Sequence, residues 1–309
     1  MFTDTHRIAG IHFRTEADFR ISSFGHKRFQ EFAFGNERFD IYHRVRSVDP
    51  DSLVLPPLGI QEKERILRYT CGSRKSIESP ILKSQEVRYH VQACLEQPEQ
   101  LSILVSPYSL VICDFRRHMI KGFYPLEFMD TLFDFRMKTS LPLIYNCFLS
   151  SFSSVMFHCS GLILGNSVPL FLAPDDGGKT TVLKTYPESK RQFLCDDRIV
   201  VRKNEKGFVA YGTPWGLFFN GSLHGNVGGL FLLEKAQNFE LLPIKPKDIL
   251  KFIWEEHFKG FSFFPKDIKK QAFETISDIC CTIPGYRMRF SKNYVNWDAI
   301  SAAMRGNVV

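Results

Sequence analysis

The sequence predicts an α/β protein, α+β overall, made of two domains. Three observations carry that expectation. Short apolar runs bounded by turn residues recur along the chain, a strand, glycine loop, helix and strand follow one another after residue 150, and 44% of the 309 residues are hydrophobic. That apolar share is enough for two cores and excludes a disordered or low-complexity chain. The 30 Phe residues enrich those cores.

No Gly/Ser-rich or Pro-rich linker and no internal repeat divides the chain, so the boundary follows the change of pattern near residue 150. Residues 1–150 form an N-terminal α+β domain of unassigned role and 151–309 a second domain. In the first, Ile8 to Arg14 and Phe39 to Val45 read as strands. Pro-punctuated and Asp/Glu-sprinkled stretches follow, and then the β-rich Leu101 to Phe115.

Thr139 to Pro174 contains no Asp, Glu, Lys or Arg. Its length would permit a membrane span. Pro142, Asn146, four serines between Ser150 and Ser154, His158, Gly161, Gly165 and Pro169 interrupt it, so a lipid-facing helix is not expected. It parses instead as a helix end, a strand from Val155 to Leu164, a turn at Gly165-Asn166-Ser167 and a buried strand from Val168 to Leu172. A helix over Thr180 to about Tyr186 and a strand over Phe193 to Val201 come next. A hairpin turn at Asn204 to Gly207 leads into Phe208 to Tyr211, and Gly229 to Leu233 reads as a further buried strand. Pro246 and Pro265 open two helices; in the second, Ile268, Ala272, Ile276, Ile279, Cys280 and Ile283 keep helical spacing. Tyr286 to Phe290 reads as a strand, and Asn296 as the cap of a last helix.

Charge and cysteine usage narrow the function classes. Forty Lys plus Arg against 33 Asp plus Glu leave a net charge of +7, interspersed rather than in blocks, so nucleic acid is not an expected partner. The eight Cys residues form no CxxC or CxxH pair, which argues against structural zinc and fits reduced thiols in a cytoplasmic protein. The N-terminus mixes acidic and basic residues before any apolar run, unlike a signal peptide.

The strongest chemical signal is Ala173-Pro174-Asp175-Asp176-Gly177-Gly178-Lys179-Thr180-Thr181, between an apolar strand and a helix. It matches the end of a phosphate-binding loop, GxxxxGK[ST], with Ala173 in place of the first glycine. In such loops backbone amides wrap the phosphates, the lysine reaches the outer ones and the hydroxyl ligates Mg²⁺. Lys179 is expected at the surface, its charge wanted only by phosphate. Asp175 and Asp176 are unexpected where phosphates bind. They either point outward, hold a neighbour or help bind a metal. From the residues alone a Gly-Gly turn capping a helix remains the other reading.

A second signal is the pair Asp196-Asp197 inside an otherwise apolar strand. Adjacent carboxylates there need a cation or hydrogen bonds. Mg²⁺ held by one carboxylate, Thr180 and nucleotide phosphates would supply that, leaving the other carboxylate to orient or deprotonate an acceptor hydroxyl. A tight turn with the pair held by Arg198 is the alternative. His158 is either a core histidine or a phosphate neighbour. Arg287 and Arg289 alternate with Tyr286 and Met288, so both face one side, as phosphate clamps or as a solvated sheet face.

Together His158, the Gly-Lys-Thr-Thr loop, the Asp-Asp strand and Gly212-Thr213-Pro214-Trp215 resemble the catalytic domain of the HPr kinase/phosphorylase family. Its nucleotide-binding core is similar to that of phosphoenolpyruvate carboxykinase. Phe231-Leu232-Leu233-Glu234-Lys235 and Tyr286-Arg287-Met288-Arg289 resemble segments of its divergent HPr-kinase-like members. The resemblance covers about residues 150–309 and implies a P-loop kinase domain with a mixed sheet, using ATP and Mg²⁺. It implies binding of nucleotide by Ala173, Asp175, Asp176, Gly177, Gly178, Lys179, Thr180 and Thr181, and of Mg²⁺ by Thr180 and Asp197. Asp196, Asp197, His158 and Arg287 would be catalytic. Ala173 and Asp176 stand where the family's loop usually has glycine, and no segment matches the bacterial enzyme's own for its protein substrate. The expected partners are a nucleotide and an unidentified protein, peptide or small-molecule acceptor, with self-association into a homo-oligomer left open. A nucleotide-binding interaction module without turnover is the rival reading. Carboxykinase-like chemistry ranks last, because the metal-ligating lysine and histidine it needs are not found.

Overall fold

A computed structural model of the chain describes residues 2–17, 40–48, 101–106, 109–125, 142, 144–220, 223–258 and 265–306. The chain divides into two compact units, one of Met1–Phe148 with Gly260–Lys269 and one of Leu149–Lys259 with Lys270–Val309. Both contain a mixed sheet, and the described chain as a whole is α+β.

The first unit holds β1 (Phe2–Ile8), β2 (Ile11–Ala17), β3 (Ile41–Val48), β4 (Leu101–Ser106), β5 (Ser109–Asp114) and β6 (Met119–Pro125). They lie in the order β1-β2-β3-β6-β5-β4, with β3 parallel to β2 and β6. The single strand expected over Ile8 to Arg14 is instead the middle of a hairpin. Ala9 and Gly10, at φ 53° and 75°, take the left-handed conformations of a two-residue turn, and β1 pairs back onto β2. Alternation buries Ile11 and Phe13, and Phe13 stacks on Tyr145 at 4.4 Å between ring centroids. The Pro-punctuated and acidic stretches expected between β3 and β4 lie outside the described residues, as do Cys71 and Cys94.

The charge-free stretch resolves into a helical segment over 144–149, then β7 (Ser154–Leu162) and β8 (Ser167–Leu172), nearly all buried. Among the described residues no helix is long and apolar enough to cross a membrane. After β8 come α1 (Lys179–Thr185), β9 (Phe193–Cys195), β10 (Arg198–Asn204), β11 (Gly207–Tyr211), β12 (His224–Lys235) and β13 (Glu240–Pro243). The chain ends through α2 (Pro246–His257), α3 (Lys266–Thr282), β14 (Gly285–Phe290) and α4 (Trp297–Met304). Asn296 caps α4 as expected, accepting from Ala299 N at 3.0 Å. The edge strand β13 was not legible in its short, half-exposed sequence.

The second sheet runs β11-β10-β7-β8-β12-β14-β13, with β9 also on β7. β11 additionally pairs with the first residues of β12, closing β10, β7, β8 and β12 into a ring. Strands β8, β12 and β14 are parallel, so their carboxyl ends share one edge. Leu162, Phe171, Phe231, Tyr286, Met288 and Phe290 build one core with Val182 and Leu183 of α1 and Ile300 and Ala303 of α4. Burial of that face fixes the strand registers, since a slip of one residue would turn the rings outward.

Gly212 sits where a Cβ would stand 2.6 Å from Asn220 O and 2.7 Å from Leu194 O, two backbone atoms with no freedom to retreat. Gly212→Ala is therefore expected to lower stability by about 1–3 kcal/mol, as overpacking does. Urea unfolding checks it; an unchanged midpoint and slope would show that the 212–220 loop can shift freely.

Candidate functional site

The edge at the carboxyl end of β8 gathers the chemistry. Leaving β8 at Leu172, the chain turns through Ala173 to Gly178, with Gly177 N donating to Pro174 O at 3.1 Å. Gly177 is in close quarters, since a Cβ there would stand 2.5 Å from that of Ala173. Gly178 needs its glycine for another reason, a φ of 99°. Asp176 also adopts a left-handed conformation, φ 57°, which Asp tolerates better than most side chains. The position where glycine is usual is thus a left-handed one.

Lys179, expected at the surface, is buried at 7% exposure. Its ammonium donates to Ala173 O at 3.0 Å and Pro174 O at 2.9 Å, closing the loop on itself. Two carbonyls can hold it there because they point inward from a loop already bent by Asp176 and Gly178. Burial lowers the Lys179 pKa, while the charges of Asp175 and Asp197 act in the opposite direction. Ser160 of β7, fully buried, donates to Lys179 O at 3.2 Å and fixes the start of α1.

The strand expected over Phe193 to Val201 is broken at the carboxylate pair. Cys195 lies opposite Gly161 and Arg198 opposite His158, so register continues while Asp196 and Asp197 bow out of the ladder. The reason is a competing partner: Asp196 N donates to Phe218 O at 3.1 Å. Asp196 is buried, and its Oδ1 accepts Leu217 N at 2.8 Å and Phe218 N at 3.1 Å. Thr180 Oγ1 donates to its Oδ2 at 3.4 Å. The Gly212-Thr213-Pro214-Trp215 stretch packs behind the break, with Thr213 Oγ1 donating to Arg198 O at 2.7 Å. Gly216 follows because a Cβ there would stand 2.5 Å from Asp196 Oδ1.

Asp197 turns the other way. His158 Nε2 lies 2.8 Å from its Oδ1 and 3.4 Å from Asp175 Oδ1, and Arg198 Nε lies 3.8 Å from its Oδ2. Burial pushes the Asp197 carboxyl up, but the His158 hydrogen bond and the charges of Arg198, His158 and Lys179 outweigh it and hold the pKa below the ordinary value. Cys195 stays a thiol near neutrality, because burial pushes its pKa up to about 11.

Short contacts therefore join His158 to Asp175 and Asp197, and Thr180 to Asp196, across three separate segments, while the Lys179 ammonium is held by the loop carbonyls between them. Arg287 stands apart. On β14 it is opposite Leu232 of β12, itself opposite Leu172, and it alternates with Tyr286 and Met288, which face the α1 core. Its Nε is 3.9 Å from Glu234, and Arg289 is held by Glu234 at 3.1 Å and Glu240 at 2.9 Å. Two contacts are not legible in the sequence: Asp175 with His158, and the 217–218 backbone with Asp196. Only the closely spaced Gly212 and Gly216 hinted at the second.

Thr180 Oγ1 and Asp196 Oδ2 are hard oxygen donors of the kind Mg²⁺ takes. Among the described residues no three His, Cys, Asp or Glu side chains could hold an ion by themselves. No family model matches this chain, and no curated protein matches it.

The two carboxylates make opposite predictions. Asp196→Ala should destabilise by about 1–3 kcal/mol in all, since it removes the shared acceptor of two part-buried amides and of Thr180 Oγ1. Asp197→Asn should cost less at neutral pH and remove part of the acid sensitivity. A carboxylate with a lowered folded pKa contributes stability above its ordinary pKa, and that contribution is lost as pH falls through the lowered one. Wild type should thus lose more stability than Asp197→Asn on acidification below about pH 4. Parallel denaturation curves down to acid pH would contradict the Asp197 assignment.

Proposed function

We propose that the second unit binds ATP and transfers its γ-phosphate to a hydroxyl, as a divergent relative of the HPr kinase/phosphorylase type with a P-loop core. The observation that carries this reading is the convergence of Lys179 and Thr180 with Asp196, Asp197 and His158 at the carboxyl edge of parallel strands, where α/β sheets bind ligands. A buried lysine, a hydroxyl and two carboxylates gathered around one loop are the kind of charged cluster that supports a functional reading.

In this reading Lys179 leaves its two carbonyls and places its charge on the outer phosphates. Mg²⁺ held by Thr180 and Asp196 would offset phosphate charge. Asp196, engaged by three donors, positions Thr180 rather than acting as a base. Asp197 accepts the hydrogen bond of the acceptor hydroxyl, with His158 keeping the carboxylate oriented and ionised. The acceptor oxygen bonds to the γ-phosphorus as the bond to the bridging oxygen breaks. ADP leaves, and the hydroxyl proton passes to Asp197. A carboxylate with a lowered pKa suits a transfer that depends chiefly on positioning and electrostatics. Arg287 has no part in this assignment. The acceptor is a protein or peptide serine or a small alcohol.

A second reading, a nucleotide-binding module without turnover, is favoured by one feature: Lys179 is already satisfied by Ala173 O and Pro174 O, so phosphate must compete for it. Calorimetry with Mg²⁺-ATP, followed by γ-labelled phosphate release or transfer, separates the two. Kinase function predicts that Asp197→Asn keeps ATP affinity near wild type while turnover falls by about a hundredfold or more. Tight binding with no turnover in the wild-type chain supports the second reading. No binding at all refutes both.

A further inference from the structure

We propose that Tyr294 is the platform on which the nucleobase of the bound ATP stacks, a contact that favours a nucleotide over base-free polyphosphate; this rests on the nucleotide reading above. Direction is the first argument. His158, Asp175, Asp196 and Asp197 all come from β7, the loop, or the β9–β10 break, on one flank of the loop. With Thr180 tied to Asp196, that flank takes the outer phosphates. The nucleoside must therefore leave across Gly178 toward β14, where Phe290 lies so close that a Cβ on Gly178 would stand 2.6 Å from its Cζ.

The surface on that flank is aromatic and exposed. Beyond Phe290 the chain makes a turn with Tyr294 N donating to Ser291 O at 3.3 Å, and Ala236 N donates to Phe290 O at 2.8 Å, bringing the turn after β12 alongside. Tyr294 and Phe239 form a T-shaped pair, 6.3 Å between ring centroids, and Tyr294 keeps 56% of its surface exposed. Three residues later Trp297 Nε1 donates to Thr185 Oγ1 at 3.1 Å, so this segment runs from beside Gly178 to the far end of α1. An aromatic ring held by one T-shaped contact and more than half exposed, just past the carboxyl end of β14, suits a flat heterocycle whose phosphates are held at the end of β8, two strands away. Among the described residues, the other exposed aromatic near the loop, Phe218, belongs to the opposite flank. Its backbone is bound to Asp196, and its ring has Phe193 at 5.8 Å and the Lys184 ammonium at 5.7 Å.

The test compares Mg²⁺-ATP with Mg²⁺-tripolyphosphate, which has the phosphates but no base, on the full chain by calorimetry. Tyr294→Ala should weaken ATP by about tenfold or more, the usual scale for a lost base–aromatic stack, and leave tripolyphosphate unchanged. Tyr294→Phe should keep ATP affinity. Thermal melting verifies that the exposed substitution leaves the fold intact. Equal affinity of wild type for both ligands, or a selective loss in Phe218→Ala with none in Tyr294→Ala, overturns the platform while leaving the loop reading standing. If wild type binds neither ligand, the loop reading fails and the platform falls with it.

Discussion

The buried carboxylate of Asp196 is the constraint around which this edge of the second unit is organised. An ionised carboxylate taken out of water costs several kcal/mol unless its oxygens are met by donors. Here Leu217 N, Phe218 N and Thr180 Oγ1 meet them. Each donor comes from an element that would otherwise be free to drift: the irregular segment after β11, and the first turn of α1. Because the contacts radiate from one side chain, the loop after β8 and the loop after β11 keep a fixed relation. Gly216 is small because the same carboxylate occupies the space of its Cβ.

From that anchor the division between two adjacent acids follows. Continuous pairing to β7 would place Asp196 and Asp197 on opposite faces of a flat strand, one of them against the apolar core. Bowing out of the ladder while keeping register lets Asp196 face inward to backbone amides and Asp197 face His158. One acid becomes structural and the other stays half-exposed and ionised, so the two can serve different purposes at the same edge. Sequence adjacency and functional separation are compatible only because of the bend.

Much of this was legible in the sequence where local chemistry and tertiary structure agree. The apolar run before the loop, the Gly-Gly-Lys-Thr-Thr sequence and the helix after it stand as β8, loop and α1, and Asn296 caps its helix. Asp196 and Asp197 drew notice because carboxylates are costly in an apolar strand. The misses share a cause. Whether Ile8 to Arg14 is one strand or the corner of a hairpin depends on Ala9 and Gly10 accepting positive φ, and only Gly10 advertises it. That Lys179 is buried depends on two carbonyls turned inward by backbone geometry, and that Asp196 leaves the ladder depends on the carbonyl of Phe218, more than twenty residues later. Backbone conformations and partners that are backbone atoms leave no mark on side-chain patterning.

Several departures from ordinary practice fall together. Asp176 in the left-handed region, the buried Lys179 and the buried Asp196 lie between the end of β8 and the start of β10, while the second unit's other left-handed non-glycine residue, Ser153, stands at the turn into β7. The sheet around them obeys alternation and the helices bury one face. A chain under selection for stability alone would relax such features, because each has a simpler replacement: glycine at 176, an apolar residue at 179, an uninterrupted strand at 196. Their occurrence together in one loop cluster, backed by a fully buried Ser160 and a glycine shaped to Asp196, means that the surrounding fold over-determines a geometry that local preferences oppose. Strain held in this way costs stability wherever it sits. It is explained most economically at a place where charges must be aimed at something the chain itself does not contain.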